Sequence, residues 1–394
     1  MYFRSQDGGT TWDIQDSILS GLDSNSFTGF RGDAYSVIAD GNKVAIGIFN
    51  QWADMVLLKS ADNGDTWTNT LINDCPVDLY VADQRGGSDA DNDGNPDTLE
   101  TCDQAGTILF DAQGMVHASF GRMRVLDADL TDGNTTYFPG TQELLYWNEN
   151  MGTGNFQEVA FPADIDGDGQ LGFAGEFSAY FVALCGFPSM GISDDGTLFI
   201  SYAGYVESFQ TATQNYRHIH IVKSSDGGVS WTEPFDLTPD LDENYYEHVF
   251  PHMAPQVDNK VRIMYMRDFE PGLAARGDED PYGLNEMIYM TADTAFSISG
   301  VGLNELAGEN LSVSLYPNPS KDKVTIEFNL ENFENVKIEL FNINGQLVRT
   351  IAPNVFSVGD NKLEFSTASL ANGTYIVKGT LNGAVESKEL LVRH

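Results

Sequence analysis

The pattern S-x-D-x-G-x-[TS]-W occurs three times in this chain and limits its fold more than any other feature. It reads SQDGGTTW at Ser5–Trp12, SADNGDTW at Ser60–Trp67 and SSDGGVSW at Ser224–Trp231. Asp suits a tight turn because its carboxylate accepts from nearby backbone N–H groups, and Gly tolerates positive φ. A Trp closing each turn offers a large apolar face to a neighbouring sheet. Short β-rich runs, Met55–Leu58 and His220–Val222, lead into two of the turns. Ser5 and Ser60 are 55 residues apart, and Ser60 and Ser224 are 164 apart, close to three such periods. Worn or stretched copies are therefore expected between them.

A fuller unit can be read around each copy: strand, Asp/Gly turn, strand, variable loop, strand, box, strand. Tyr35–Trp67, Thr107–Phe156, Met190–Trp231 and His252–Phe296 each fit it, the second with a worn box NENMGTGNF and the fourth with a box reduced to TADTAF. The strands alternate and are rich in β-branched and aromatic residues. Tyr2–Ser5 and its box make half a unit more. The expected class is all-β, with four full units of four strands over residues 1–296.

These turns resemble the Asp-box, or BNR repeat, of sialidase-like β-propellers. The resemblance implies a propeller in which each box joins the third and fourth strands of a blade, away from any catalytic face. Asp7, Trp12, Asp62, Trp67, Asp226 and Trp231 then have structural roles. Propellers of this type resemble six blades, so the four and a half here are expected to be an N-terminally truncated set. Truncation would also account for the absence of a signal peptide before the first box.

Residues 297–310 read as a linker, after which the character changes. Residues 311–394 carry short alternating strands at sandwich spacing, with Asn-Gly turns at Asn344-Gly345, Asn372-Gly373 and Asn382-Gly383. Tyr316-Pro317-Asn318-Pro319, Phe341–Leu347, Gly373–Val377 and Lys388–Arg393 resemble the type A C-terminal sorting domain of the Bacteroidetes type IX secretion system. That resemblance implies export across the outer membrane, with the type IX machinery as partner and a secreted or surface location.

The chain has 58 acidic and 21 basic residues, and all but one unit of its net charge of −37 falls before residue 311. A field of that sign repels nucleic acid and anionic membranes and favours cations. No apolar run approaches the roughly 18 residues of a membrane helix.

Asp89–Glu100, DADNDGNPDTLE, matches a calcium loop. Asp89, Asp91, Asp93, the Asn95 carbonyl, Asp97 and Glu100 are its expected Ca²⁺ ligands. Asp164, Asp166 and Asp168 repeat the first half of the pattern. Three cysteines leave the pairing open; Cys75–Cys102, which would close the first loop, is the expected bridge.

The longest loops fall on the end of the sheets away from the boxes, where function is expected to concentrate. Sialidases, by the same resemblance, grip a carboxylate with arginines and use a Tyr–Glu pair as nucleophile. Arg31, Arg122 and Arg267 are the candidate trio, with Tyr245, Tyr246 and Glu247 beside them, and Arg85, Arg124, Glu176 and Asp268 as further polar candidates. No recognisable arginine motif accompanies them. Two functions therefore compete: a non-catalytic propeller binding a glycan or protein outside the cell, which the incomplete units favour, and a glycoside hydrolase of sialidase type.

Overall fold

The structure, a computed structural model, describes residues 1–296 and 313–394 except positions 30, 31, 33, 83, 85, 139–142, 163, 164, 166–169, 174–176, 178, 179, 212, 240–245, 277–281, 331–333, 343–346, 357, 358, 382 and 383. The chain forms two compact units, Met1–Ile298 and Ser299–His394. Both are built from β-strands, so the all-β class holds.

The first unit is a succession of antiparallel sheets. Strands β1 (Tyr2–Arg4) and β2 (Ile14–Ser17) flank the first box as a hairpin. Next come β3 (Tyr35–Asp40), β4 (Lys43–Ile48), β5 (Met55–Ser60) and β6 (Thr68–Asn73), paired in that order. In the following sheet, β7 (Leu99–Phe110) pairs β8 (Val116–Leu126), which pairs β10 (Leu144–Asn148) and through it β11 (Gln157–Ala160). Short β9 (Thr136–Tyr137) extends the far end of β8. Then follow β12 (Cys185–Ser193), β13 (Leu198–Gln210), β14 (Asn215–Ser224) and β15 (Phe235–Asp236), again in order. The last sheet has β16 (Glu247–Met253), β18 (Lys260–Asp268) and β19 (Glu286–Asp293), while β17 (Gln256–Val257) runs parallel to β12.

Each sheet packs face to face on the next through its leading strands, as propeller blades do: β3 and β4 on β7, β7 and β8 on β12, β12 to β14 on β16. Phe49, Leu57, Ile108 and Phe120 fill the first junction, Leu109, Tyr146, Ile200 and Val222 the second, Phe199, Ile219, Val249 and Ile263 the third. Sheets on both sides explain why β5 buries five of its six residues. Among the described residues no comparable strand contact joins the last sheet to the first hairpin, and Met264, Met287 and Tyr289 stand exposed on the last sheet.

The three boxes have one geometry. Ser5, Ser60 and Ser224 each donate from Oγ to the Asp two residues on, at 2.9, 2.8 and 2.7 Å. The same hydroxyls accept from the N–H groups of Gly9, Gly64 and Gly228. Asp7, Asp62 and Asp226 accept backbone and hydroxyl donors from Thr11, Thr66 and Ser230. The Gly residues sit at φ of 90°, 83° and 89°, a region open to Gly. Hydroxyl and backbone donors, those of Thr66 and Ser230, hold the Asp62 and Asp226 carboxyls down to about 2.

The fourth unit has three strands among the described residues, and residues 297–312, where a fourth would follow, lie outside them. Two expectations need correcting. Trp67 and Trp231 pack against Tyr2 and Tyr146 of the preceding sheets, but Trp12 is 48% exposed and touches Phe3. Cys75, Cys102 and Cys185 are free buried thiols, so the Cys75–Cys102 bridge is not formed. The Cys102 Sγ instead turns to the Asn50 carbonyl at 3.1 Å. Burial pushes Cys75 up to about 11, so neither thiol is poised as a thiolate.

The second unit is a sandwich of two sheets. One holds β20 (Val313–Tyr316), β21 (Lys323–Leu330) and β24 (Gly359–Ser366). The other holds β22 (Glu334–Asn342), β23 (Leu347–Phe356), β25 (Gly373–Leu381) and β26 (Ala384–Val392), in the order β23-β22-β25-β26. Val324, Ile326, Phe328, Leu340, Val377 and Leu390 fill the space between. The Tyr316–Pro319 motif holds the chain's last strand: Leu391 N–H donates to Asn318 Oδ1 at 2.8 Å, and Arg393 N–H to the Ser320 carbonyl at 2.9 Å.

Candidate functional site

The start of β7, β12 and β16 and the end of β8, β13 and β18 lie at one end of the first unit, as the antiparallel registers require. The long connections gather there. Beneath them is a buried polar cluster centred on Arg217, which is 1% exposed. Its Nη1 donates to the carbonyls of Leu184 and Ala203 at 3.2 and 3.1 Å, and its Nη2 to Ala183 at 3.0 Å. Its backbone N–H donates to Glu247 Oε2 at 2.7 Å. Asp103 holds the same segment from the neighbouring sheet, accepting from the Ala183 N–H at 3.0 Å. Glu207, also buried, accepts from the N–H groups of Ile165 and Gly172. Three charged side chains thus pin the long connection ahead of β12 by its backbone.

Glu247 is 0% exposed, and burial pushes its carboxyl up to about 8 against the opposing pull of Arg217. Burial likewise raises Asp103 to about 6, although backbone N–H groups favour its ionised form. The Tyr180 hydroxyl lies beside Glu247, a Tyr next to a Glu, and both residues are buried.

Of the arginine trio, Arg31 lies outside the described residues, as does Tyr245. Arg122 Nη1 is 3.1 Å from both Glu143 and Glu158 of its own sheet. Arg267 donates to Glu286 of its own sheet at 2.6 Å and stacks on Tyr246, 4.6 Å from the ring centre. Arg122 and Arg267 are thus each paired within their own sheet. Around Tyr246 the surface is aromatic: its ring meets Phe269, 60% exposed, at 4.9 Å. A second exposed ring, Phe181, carries the Arg276 guanidinium at 4.8 Å.

Arg217, Tyr180, Asp103 and Glu207 were absent from the sequence candidates. One signal was present: Arg217 alternates with Ile219 and Ile221 on one face of β14, so it is a charge on a core-facing stripe. Glu247 has the same relation to Val249.

In the acidic loop, carboxylate oxygens of Asp89, Asp91 and Asp97 lie within 4.8 Å of one another, a donor set able to hold a metal ion. Asp93 lies outside this group and accepts from the Asn95 N–H and side-chain amide. Glu100 is not part of it either. It stands on β7 directly across from Arg124 and accepts from that guanidinium at 2.8 Å. Helices flanking a calcium loop would swing its last acid inward; here a strand begins one residue earlier and turns it to its cross-strand partner. Asp164, Asp166 and Asp168 lie outside the described residues.

Residues 314–393 match the family described as "Secretion system C-terminal sorting domain". The second unit is such a type IX sorting domain, and the protein is secreted or displayed at the cell surface. The domain implies contact with the secretion machinery. Among the described residues no helix is long and apolar enough to cross a membrane. No curated protein matches the chain. Similar solved structures include the GH43 endo-arabinanase from Bacillus licheniformis (10% identity, 93% of each chain covered, TM-score 0.28). Another is the Penicillium chrysogenum α-L-arabinanase (12% identity, 92% of this chain and 94% of that one, TM-score 0.31). A third is the Trypanosoma rangeli sialidase in complex with sialic acid (10% identity, 92% of this chain and 54% of that one, TM-score 0.33). At these scores the likeness carries no argument about function.

Proposed function

We propose that the first unit is a non-catalytic binding module, exported by the second, that takes a glycan or protein ligand at its long-loop end. The observation that carries this reading is the engagement of Arg122, Arg217 and Arg267. Arg122 and Arg267 are spent on carboxylates of their own sheets and Arg217 on backbone carbonyls, while Phe269 and Phe181 offer exposed rings at the same end. Exposed aromatic faces with neighbouring charged groups suit a sugar ring or an apolar anchor. In the same reading Asp89, Asp91 and Asp97 hold Ca²⁺, whose preference for hard oxygen ligands their carboxylates meet, and the ion would order the connection between β6 and β7.

The rival reading, a sialidase-type glycoside hydrolase, draws on Tyr180 beside Glu247. It requires that pair to meet substrate, and both are buried. Glycan-array and pull-down binding of the full chain, beside an assay with a fluorogenic sialoside, separates the two. Binding without turnover, weakened by Phe269→Ala, is expected. Release of sialic acid would sink the proposal.

A further inference from the structure

The last sheet has one packed face and one open face. Ile263, Tyr265, Ile288 and Met290 turn into the junction with the preceding sheet, beside Phe199 and Ile219. Side chains alternate along a strand, so Met264 and Met266 of β18 share the opposite face with Met287 and Tyr289 of β19. There Met264, Met287 and Tyr289 are 47%, 64% and 61% exposed. Large apolar side chains grouped in the open mark a site of interaction.

The ladder fixes which of these residues are neighbours. Met264 lies directly across from His252 of β16 on one side and from Tyr289 on the other. Met266 lies directly across from Met287. A bulge between Val249 and His252 sets the first of these pairs and brings the exposed His252 onto the methionine face. Residues directly opposite have Cβ atoms about 5 Å apart, and diagonal neighbours about 7–8 Å. Met264 is thus beside His252, diagonal to Met287 and two residues from Met266. Met side chains are long, unbranched and free to turn about three bonds. Three sulfur atoms and one imidazole can therefore meet over β18 between Met264 and Met266. Met266 is half-buried against the edge of the junction core, which anchors one of the four.

This donor set is selective. Calcium takes oxygen ligands, and zinc takes thiolate, imidazole or carboxylate. Thioethers are soft donors, which select Cu(I). Two acids of the same sheet are engaged elsewhere, Glu286 by Arg267 and Asp258 by Arg262. The three thiols, the competing soft donors of the chain, are buried. The negative field of the first unit draws cations of any kind, and the sulfur atoms decide which one stays.

We propose that His252, Met264, Met266 and Met287 form a Cu(I) site on the open face of the last sheet. It does not depend on the ligand proposed for the long-loop end.

The test is a titration of the full chain with Cu(I), kept reduced by ascorbate, in competition with a chromogenic Cu(I) chelator. In parallel, Ag(I) is added while the methionine methyl groups are followed by NMR. One Cu(I) per chain should bind, and of the eleven methionines only Met264, Met266 and Met287 should shift with Ag(I). Met264→Leu and Met287→Leu keep the size and apolar character of the side chain and remove the sulfur, so a surface that merely docks a protein would tolerate them. Each should weaken Cu(I) binding about tenfold or more, as should His252→Gln. Circular dichroism melts check that the variants fold, and excess Zn²⁺ or Ca²⁺ should not displace the metal. Absence of Cu(I) binding overturns the proposal. So does binding that survives the Met264→Leu/Met287→Leu double variant, which would assign the metal to the thiols or the acidic loop. Ag(I) shifts confined to other methionines overturn it without any variant.

Discussion

The guanidinium of Arg217 lies 3.9 Å from the centre of the Tyr205 ring, with both residues buried. Stacking leaves the edge of the guanidinium free to donate to the Ala183, Leu184 and Ala203 carbonyls. The planar fork is what makes this possible, and Lys cannot copy it. Arg217→Ala should therefore destabilise the first unit by about 3–5 kcal/mol, the scale for breaking a buried charge from its partners. Arg217→Lys should recover only part of this. Urea unfolding followed by tryptophan fluorescence measures both; a loss under about 1 kcal/mol for the Ala variant would be inconsistent with the packing described.

Glu247 makes stability fall with pH. Its carboxyl is raised from an ordinary 4.5 to about 8 in the fold by burial, so the unfolded chain ionises first. The contribution is complete below 4.5 and is lost as pH rises through 8, at up to about 1.4 kcal/mol per pH unit. Glu247→Gln should flatten the dependence of melting temperature on pH between 5 and 8. Parallel curves for wild type and variant would refute the assignment.

The boxes respond to acid with the opposite sign. Hydrogen bonds from Thr66 and Ser230 depress Asp62 and Asp226 to about 2, so their contribution is present above the ordinary 3.8 and lost as pH falls toward 2. Asp62→Asn should lower the melting temperature at pH 7 by roughly 2–4 °C and reduce the further drop between pH 4 and 2. Calorimetric scans at those three pH values provide the check, and an unchanged acid drop in the variant would contradict it.

Calcium should distinguish the acidic side chains of the loop. After chelator treatment, added CaCl₂ should raise the melting temperature, with a stabilisation of about 2.7 kcal/mol at a hundredfold excess over the dissociation constant. Asp91→Ala should abolish the rise, because Asp91 is one of three converging carboxylates. Glu100→Gln should leave it intact, because Glu100 is engaged by Arg124. A variant at Glu100 that loses the response would place that residue among the ligands after all.

The sequence by itself determined what depends on near neighbours in the chain. Each box closes through bonds between residues two to four apart, such as Ser60 to Asp62 and Asp62 to Thr66, so eight letters suffice to read it. Alternation along β5 or β14 marks strands for the same reason, and the Tyr316–Pro319 motif with its sandwich spacing marked the sorting domain. Tertiary structure alone decided which polar side chains were used up and where. Glu100 looked like a twelfth-position ligand until Arg124 met it from across the strand. Arg122 and Arg267 looked available until Glu158 and Glu286 took them. Arg217 looked like one more residue of a strand, and became the centre of the buried cluster only because Leu184, Ala203 and Glu247 reach it from 33, 14 and 30 residues away. The cost of burying a charge is set by partners brought by the fold, and a local pattern does not contain them.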